Sequence, residues 1–241
     1  MQIKDSFVIF FAGLSMIITP GGSGVLIKSF FIKRKYGHAV SKTMPLVVAE
    51  RFYELTGIVV LISFTLTISH SIESTIIVVI ASAIIVIMLF IVKNQKTLNV
   101  LFAILSKLKL MEKNTLLEEF YPSLNKLLSP RTSLIIIPFI VLITIIESFM
   151  FYFGFLAFNV NIGYFESIQV FYTSILFGSL FFIPGGIGAT EGIFVSLLLQ
   201  RNIELSLASS IIIFQRLSTL WAQAAIGFII AFFTIIKKSN N

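Results

Sequence analysis

The chain has 241 residues, 57% of them hydrophobic and 12% charged, with a formal net charge of +7 and no cysteine. An average soluble domain is roughly half apolar and about a quarter charged, so a water-soluble fold of this size lacks the polar surface to cover its apolar content. The missing cysteine excludes disulfides and thiolate metal sites. The positive charge sits in loops between apolar runs, which fits the positive-inside rule and not a nucleic-acid surface.

In chain order, the first element is the apolar run 6–19, behind Lys4 and Asp5. It has no small-residue cleavage site and continues into Pro20-Gly21-Gly22-Ser23-Gly24, so it reads as structure and not as a removable leader. Proline removes a helix donor and glycine permits positive φ, so the helix is expected to break there, with 25–32 as a return arm. A basic loop, 33–42, carries Lys33, Arg34, Lys35 and Lys42. The runs 46–69 and 74–91 then meet or approach the ~20 helical residues that cross a ~30 Å hydrocarbon core.

The polar stretch 94–130 places Leu98, Leu101, Phe102, Leu105 and Leu108 at helical spacing. Leu116, Leu117, Phe120, Leu124, Leu127 and Leu128 repeat the pattern after a Thr115-to-Glu118 capping-box spacing. With Lys96, Lys107 and Lys109 nearby, these predict amphipathic helices on the cytoplasmic membrane surface. Run 133–157 is a further span. Run 166–183 leads into Pro184-Gly185-Gly186-Ile187-Gly188, followed by the arm 189–199. The last span is 207–236, before Lys237 and Lys238.

No water is available in a bilayer core, so these runs must be helices; they do not alternate as barrel strands do. Loops 33–42 and 93–131 and the C-terminal tail are basic, whereas loops 68–74 and 159–164 have no Lys or Arg. The expected fold is an all-α polytopic membrane protein. It has four full transmembrane helices plus two re-entrant Pro-Gly-Gly hairpins (two short tilted spans are the alternative, with the same sidedness for everything else), lies in a cell membrane, and keeps both termini cytoplasmic.

The two Pro-Gly-Gly regions also match each other. Ile18-Thr19-Pro20-Gly21-Gly22-Ser23-Gly24 parallels Phe182-Ile183-Pro184-Gly185-Gly186-Ile187-Gly188, Ser15 parallels Ser179, and Phe30 parallels Phe194. After a similar interval each copy has an arginine in an apolar run, Arg51 and Arg216. The expected organisation is a first repeat over 1–92 (hairpin 6–32, helices 46–69 and 74–91), a cytoplasmic amphipathic linker over 93–132, and a second repeat over 133–241. The second repeat holds helix 133–157, hairpin 166–199 and helix 207–236. Loop charges put the entry to the two hairpins on opposite sides, so the repeats are inverted. Inverted repeats with broken helices point to a transporter with its site near the midplane.

The intramembrane charges are Lys28, Glu50, Arg51, Glu54, Glu147, Glu191 and Arg216. A charge at mid-bilayer costs ~2.5–3.5 kcal/mol on insertion scales, so such groups are paired or functional. One reading has them only cross-linking helices through ion pairs. The other has Arg51 and Arg216 lining a polar cavity and holding an anion, phosphate above all, through the planar guanidinium fork. Glu50 and Glu54 share a helix face at i and i+4. Glu191, close to the second turn, would pair with Arg216 or take part in proton coupling. Backbone N–H groups at Gly21, Gly22, Gly24, Gly185, Gly186 and Gly188 would add donors, and Lys28 a further cation.

No catalytic residue, metal or cofactor is expected. Gly21-Gly22-Ser23-Gly24 fits an intramembrane serine protease motif, but a base must reach the serine, and the two histidines, His38 and His70, lie in loops on opposite faces. Those histidines and the single Asp5 leave too few metal ligands. No polar domain is present to bind a transferase donor, and no selectivity-filter sequence appears.

Pro184-Gly185-Gly186-Ile187-Gly188-Ala189-Thr190-Glu191-Gly192 resembles the signature of the lysylphosphatidylglycerol synthase/flippase transmembrane family. Arg216, Trp221 and Gly227 resemble its later arginine–tryptophan–glycine element, and Glu50, Arg51 and Glu54 its earlier Glu-Arg element. Lys28 stands where a basic residue is usual; Val25 stands where many members have an acid. The resemblance implies a flippase-like membrane domain that moves a phospholipid or polyprenyl-linked lipid between leaflets, not an enzyme. Members commonly carry more helices before the first motif, and some a soluble synthase domain. Here only 6–19 precedes the motif, which gives the expectation of a homodimer or a membrane protein partner. Membrane lipids are the expected ligands, and nucleic acid is not. The alternatives are a non-transporting scaffold subunit of a lipid-modifying enzyme, and a small-anion transporter.

Overall fold

The computed structural model describes residues 2–19, 23–69, 72–100, 113–180 and 183–239, and its regular elements are helical. Pro20, Gly21 and Gly22 therefore lie outside the described residues, as do 101–112 of the polar stretch. In chain order the helices are α1 (Ile3–Leu14), α2 (Ile27–Tyr36), α3 (Val40–Ser69), α4 (Ile72–Lys93), α5 (Lys113–Leu127), α6 (Pro130–Ala157), α7 (Tyr164–Leu180), α8 (Ala189–Leu199), α9 (Leu205–Arg216) and α10 (Ala222–Ser239). A 3₁₀ turn, Ser23–Leu26, leads into α2, and a π turn, Leu217–Trp221, joins α9 to α10.

Helices stand where the apolar runs predict them, with ends shifted by polar chemistry. α3 starts at Val40, ahead of the expected 46, and runs through Pro45 in its second turn. The added turn carries Ser41 and Lys42, which meet Glu119 of α5 at 2.5 and 3.2 Å. α6 opens on Pro130, the first helical position, where proline's missing donor is no loss. α9 and α10 run on from one another through one π turn directly after Arg216 and together occupy the place of the expected last span, 207–236. Such a turn accommodates an extra residue without needing Gly or Pro, so no local residue advertises it.

Among the described residues two runs, Pro130–Ala157 of 28 residues and Leu205–Phe233 of 29, are long and apolar enough to cross a bilayer. Only 17% and 22% of their most apolar stretches are buried inside the protein, whereas a soluble protein's core helix would be mostly covered. Leu134, Phe139, Phe153, Phe228 and Phe233 all point outward. An uncovered apolar surface of this extent calls for a lipid environment.

The chain packs as two compact units, one of Met1–Phe31 with Ile146–Asn241, the other of Ile32–Ile145. In the first, α1 lies on α10, α7 on α8, and α8 on α9. Glycine permits the first of these contacts: a Cβ on Gly227 would strike the α1 backbone at Phe11, Leu14 and Ser15. In the second unit α3 packs against α4 and α5. Its core joins Ala49, Phe52 and Tyr53 to Val92, Leu98, Phe120, Leu124 and Leu128. The leucine stripe of the polar stretch, expected to face the membrane surface, is thus used within the protein at Leu98, Phe120, Leu124 and Leu128. The Tyr53 hydroxyl donates to the Leu127 carbonyl at 2.8 Å and lies 2.9 Å from Ser133 Oγ, fixing the end of α5 and the start of α6 to α3.

Candidate functional site

The second Pro-Gly-Gly turn is built on backbone geometry that side chains resist. Gly185, Gly186 and Gly188 have φ of +60°, +66° and +85°, the left-handed region that glycine enters without steric cost. A Cβ on Gly186 would also sit 2.5 Å from Thr190 Oγ1. Gly186 N–H donates to the Ile183 carbonyl and Ile187 N–H to the Pro184 carbonyl, so the turn closes on itself before α8 begins.

Glu191 stands in the first turn of α8, three residues after Gly188. Its Oε2 accepts the Gly188 N–H at 2.5 Å, and its Oε1 accepts from Arg216 Nε at 2.6 Å. Arg216 ends α9, packed on α8, and its Nη2 donates to the Gly185 carbonyl. One guanidinium therefore ties α9 both to the start of α8 and to the turn that precedes it. The Arg216 side chain is 8% exposed and that of Glu191 27%. With Nε and Nη2 engaged, Nη1 is the nitrogen of the fork that has no protein partner among the described residues.

Beside Arg216, Gln215 is buried and donates through Nε2 to the Phe151 carbonyl of α6 at 3.3 Å. Gly154 makes room for it, since a Cβ there would be 3.2 Å from that nitrogen. Gln215 and Ser218 are the polar members of an otherwise apolar groove of about 530 Å³ between Ile146–Ala157 and the end of α9. Sequence reasoning did not single out Gln215, Thr190 or Gly154. Glu191 supplies the acidic half of a capping box to the Gly188 N–H; glycine has no side chain to supply the other half.

The first-repeat candidates are arranged differently. Arg51 Nη1 donates to Glu54 Oε2 at 2.7 Å along α3, and its Nε is buried without a hydrogen bond. Glu50 is half-buried on the same helix. Lys28 is buried in α2, its Nζ 4.4 Å from the Phe10 ring centre, with its stem against Gly13. Gly24 N–H donates to Thr19 Oγ1 at 2.5 Å. Gly21 and Gly22 lie outside the described residues, and Glu147 is exposed on α6. The structure thus brings Arg216, Glu191, Gly185, Gly186 and Gly188 into one cluster. It brings Arg51 to Glu54 in the other packed unit.

Residues 1–227 match the model of the family described as the lysylphosphatidylglycerol synthase TM region, and the chain belongs to that family. A relative described as a UPF0104 membrane protein, from Methanothermobacter thermautotrophicus, is 30% identical over 112 residues. That stretch is 46% of this chain and 33% of the relative, so the chain matches a third of that relative's length. No solved structure matches. Family and outward-facing apolar helices together make this a membrane protein.

Proposed function

We propose that this chain is a lipid flippase or transporter that moves an anionic phospholipid or a polyprenyl-phosphate-linked lipid between leaflets. The observation that supports it is the Arg216 cluster: a nearly buried guanidinium at the end of an apolar helix, held on two nitrogens and without a protein partner on the third among the described residues. Within a membrane an ionisable side chain in such a place is a functional site by default. Guanidinium hydrogen bonds to a phosphate oxygen are charge-assisted and about twice as strong as neutral ones.

In this reading the protein is multi-pass, with four spans, two re-entrant hairpins and cytoplasmic termini. Its halves 1–92 and 133–241 are inverted repeats, and residues 93–132 link them on the cytoplasmic side. In sequence, Gly21, Gly22, Gly24, Lys28, Glu50, Arg51 and Glu54 are the first repeat's counterparts of Gly185, Gly186, Gly188, Glu191 and Arg216. The chain carries no catalytic group and acts as a homodimer or with a membrane partner. A scaffold subunit of a lipid-modifying enzyme is the second reading, favoured by the ion pairs that both arginines already make.

Reconstitution into vesicles with a fluorescent anionic phospholipid separates the two. Transport above the protein-free rate is expected. Arg216→Lys, which keeps the charge and loses the fork, should lower it by about tenfold, from the loss of one charge-assisted bond of ~1.5 kcal/mol. Folded wild-type protein that neither moves nor binds the lipid would leave the scaffold reading in place.

A further inference from the structure

We infer that Glu191 is a built-in competitor for the anion at Arg216, so that binding of a lipid phosphate is linked to uptake of one proton by Glu191. This rests on Arg216 being the lipid site. The cluster as it stands is neutral, one guanidinium against one carboxylate at 2.6 Å. A phosphodiester arriving at the free Nη1 would turn it into two anions facing one largely buried cation, an arrangement that like-charge repulsion and desolvation both oppose. A proton on Glu191 removes the excess charge. The exchange balances: ionised Glu191 paired with Arg216, plus a phosphodiester anion and a proton from water, gives neutral Glu191 and Arg216 paired with the phosphodiester.

Two features suit Glu191 to this role. It is more open than its partner, 27% exposed against 8%, so a proton has access while the guanidinium stays shielded. Its second oxygen is held by the Gly188 N–H, which keeps the carboxyl in place after the arginine is released. Among the described residues, no other titratable group bonds to Glu191 or Arg216. On α7, Glu166 accepts the Gly163 N–H and Tyr164 bonds Ser148, while Tyr172 is buried beside Phe151. On α9 the charged residue is Arg216 itself. Arg201, past the end of α8, donates to the Leu197 carbonyl, and Glu204 precedes α9 exposed.

The test is calorimetric titration of the full chain, in detergent, with dioctanoyl phosphatidylglycerol. This phosphodiester keeps a constant charge between pH 5 and 8. Repeating the titration in buffers of different ionisation enthalpy counts the protons exchanged. The wild type is expected to take up close to one proton and to bind more weakly as pH rises, by up to tenfold per unit. Glu191→Gln should bind with no proton uptake, without pH dependence, and at least tenfold tighter at pH 8. Binding by the wild type that is flat with pH and releases or takes up no proton overturns the inference while leaving Arg216 as the lipid site; this wild-type result decides even if the variant does not fold. Absence of binding by the wild type throughout the pH range removes the lipid site, and the linkage with it.

Discussion

The two Pro-Gly-Gly turns solve the same local problem with different reach. In each, the last glycine has an N–H that needs an acceptor. At Gly24 it is Thr19 Oγ1, five residues earlier; at Gly188 it is Glu191 Oε2, three residues later; both are at 2.5 Å. A hydroxyl ends the matter there. A carboxylate brings a charge, and that charge engages Arg216 from α9, so the second turn is fastened to another helix. The first turn has Ile27 where the second has Glu191, and its buried cation, Lys28, is on its own α2 over Phe10. The arginines follow the same division. Arg51 pairs with Glu54 one turn away on one helix, both of them partly exposed, whereas Arg216 is shielded and crosses between helices. Arg51 is thus a local tie on its own helix, and Arg216 a tie between elements.

That contrast makes ordered predictions. The largest effect belongs to Arg216→Ala, which strands Glu191 beside the turn. Breaking a buried pair typically costs ~3–5 kcal/mol, against less than ~1 kcal/mol for Arg51→Ala, since exposed pairs contribute little. Thermal unfolding in detergent should separate the two variants clearly, and equal losses would erase the distinction. Gly186→Ala comes next, at ~1–3 kcal/mol, because it forces a side chain into positive φ against Thr190. Gly192→Ala, four residues into α8 with open space at the Cβ, should instead gain up to ~1 kcal/mol. Thr19→Val removes the acceptor of the Gly24 N–H, for ~1 kcal/mol, and should leave lipid binding at Arg216 unchanged.

The smallest effect is one of pH, in the other packed unit. The Ser41 hydroxyl, and then Lys42, hold the Glu119 carboxyl below its ordinary value. A depressed carboxyl stabilises the fold above its unfolded pKa and loses that contribution as pH falls through its folded one. The acid limb of the wild-type stability profile, below about pH 4.3, should therefore carry a component that Glu119→Gln lacks.

Helix positions were legible because a span length and a proline–glycine break are written in composition. The Arg216–Glu191 pair was legible too, since two opposite charges near one apolar turn have few other partners. What was not legible depends on distance in space. Phe30 and Phe194 occupy matching places in the repeat, yet Phe30 is exposed and Phe194 is fully buried, because burial is set by which helix lies alongside. The π turn after Arg216 has no sequence flag, and the leucines of the polar stretch look the same whether they meet lipid or α3. Gln215 was overlooked because an amide among isoleucines announces neither its Phe151 acceptor nor the absence of a Cβ at Gly154.

The contact between Gly227 and the backbone of α1 has a consequence for biogenesis. Residues 1–31 belong to the same packed unit as 146–241, with the whole of the other unit intervening in the chain. During synthesis α1 leaves the ribosome well before its native neighbour, α10. α1 must therefore wait with its seat for α10 unfilled, while Ile32–Ile145, contiguous in the chain, can settle early. Non-local closure of this kind is slow and exposes unpaired surface in the interval. Truncation anywhere before Gly227 would thus damage α1 as surely as α10.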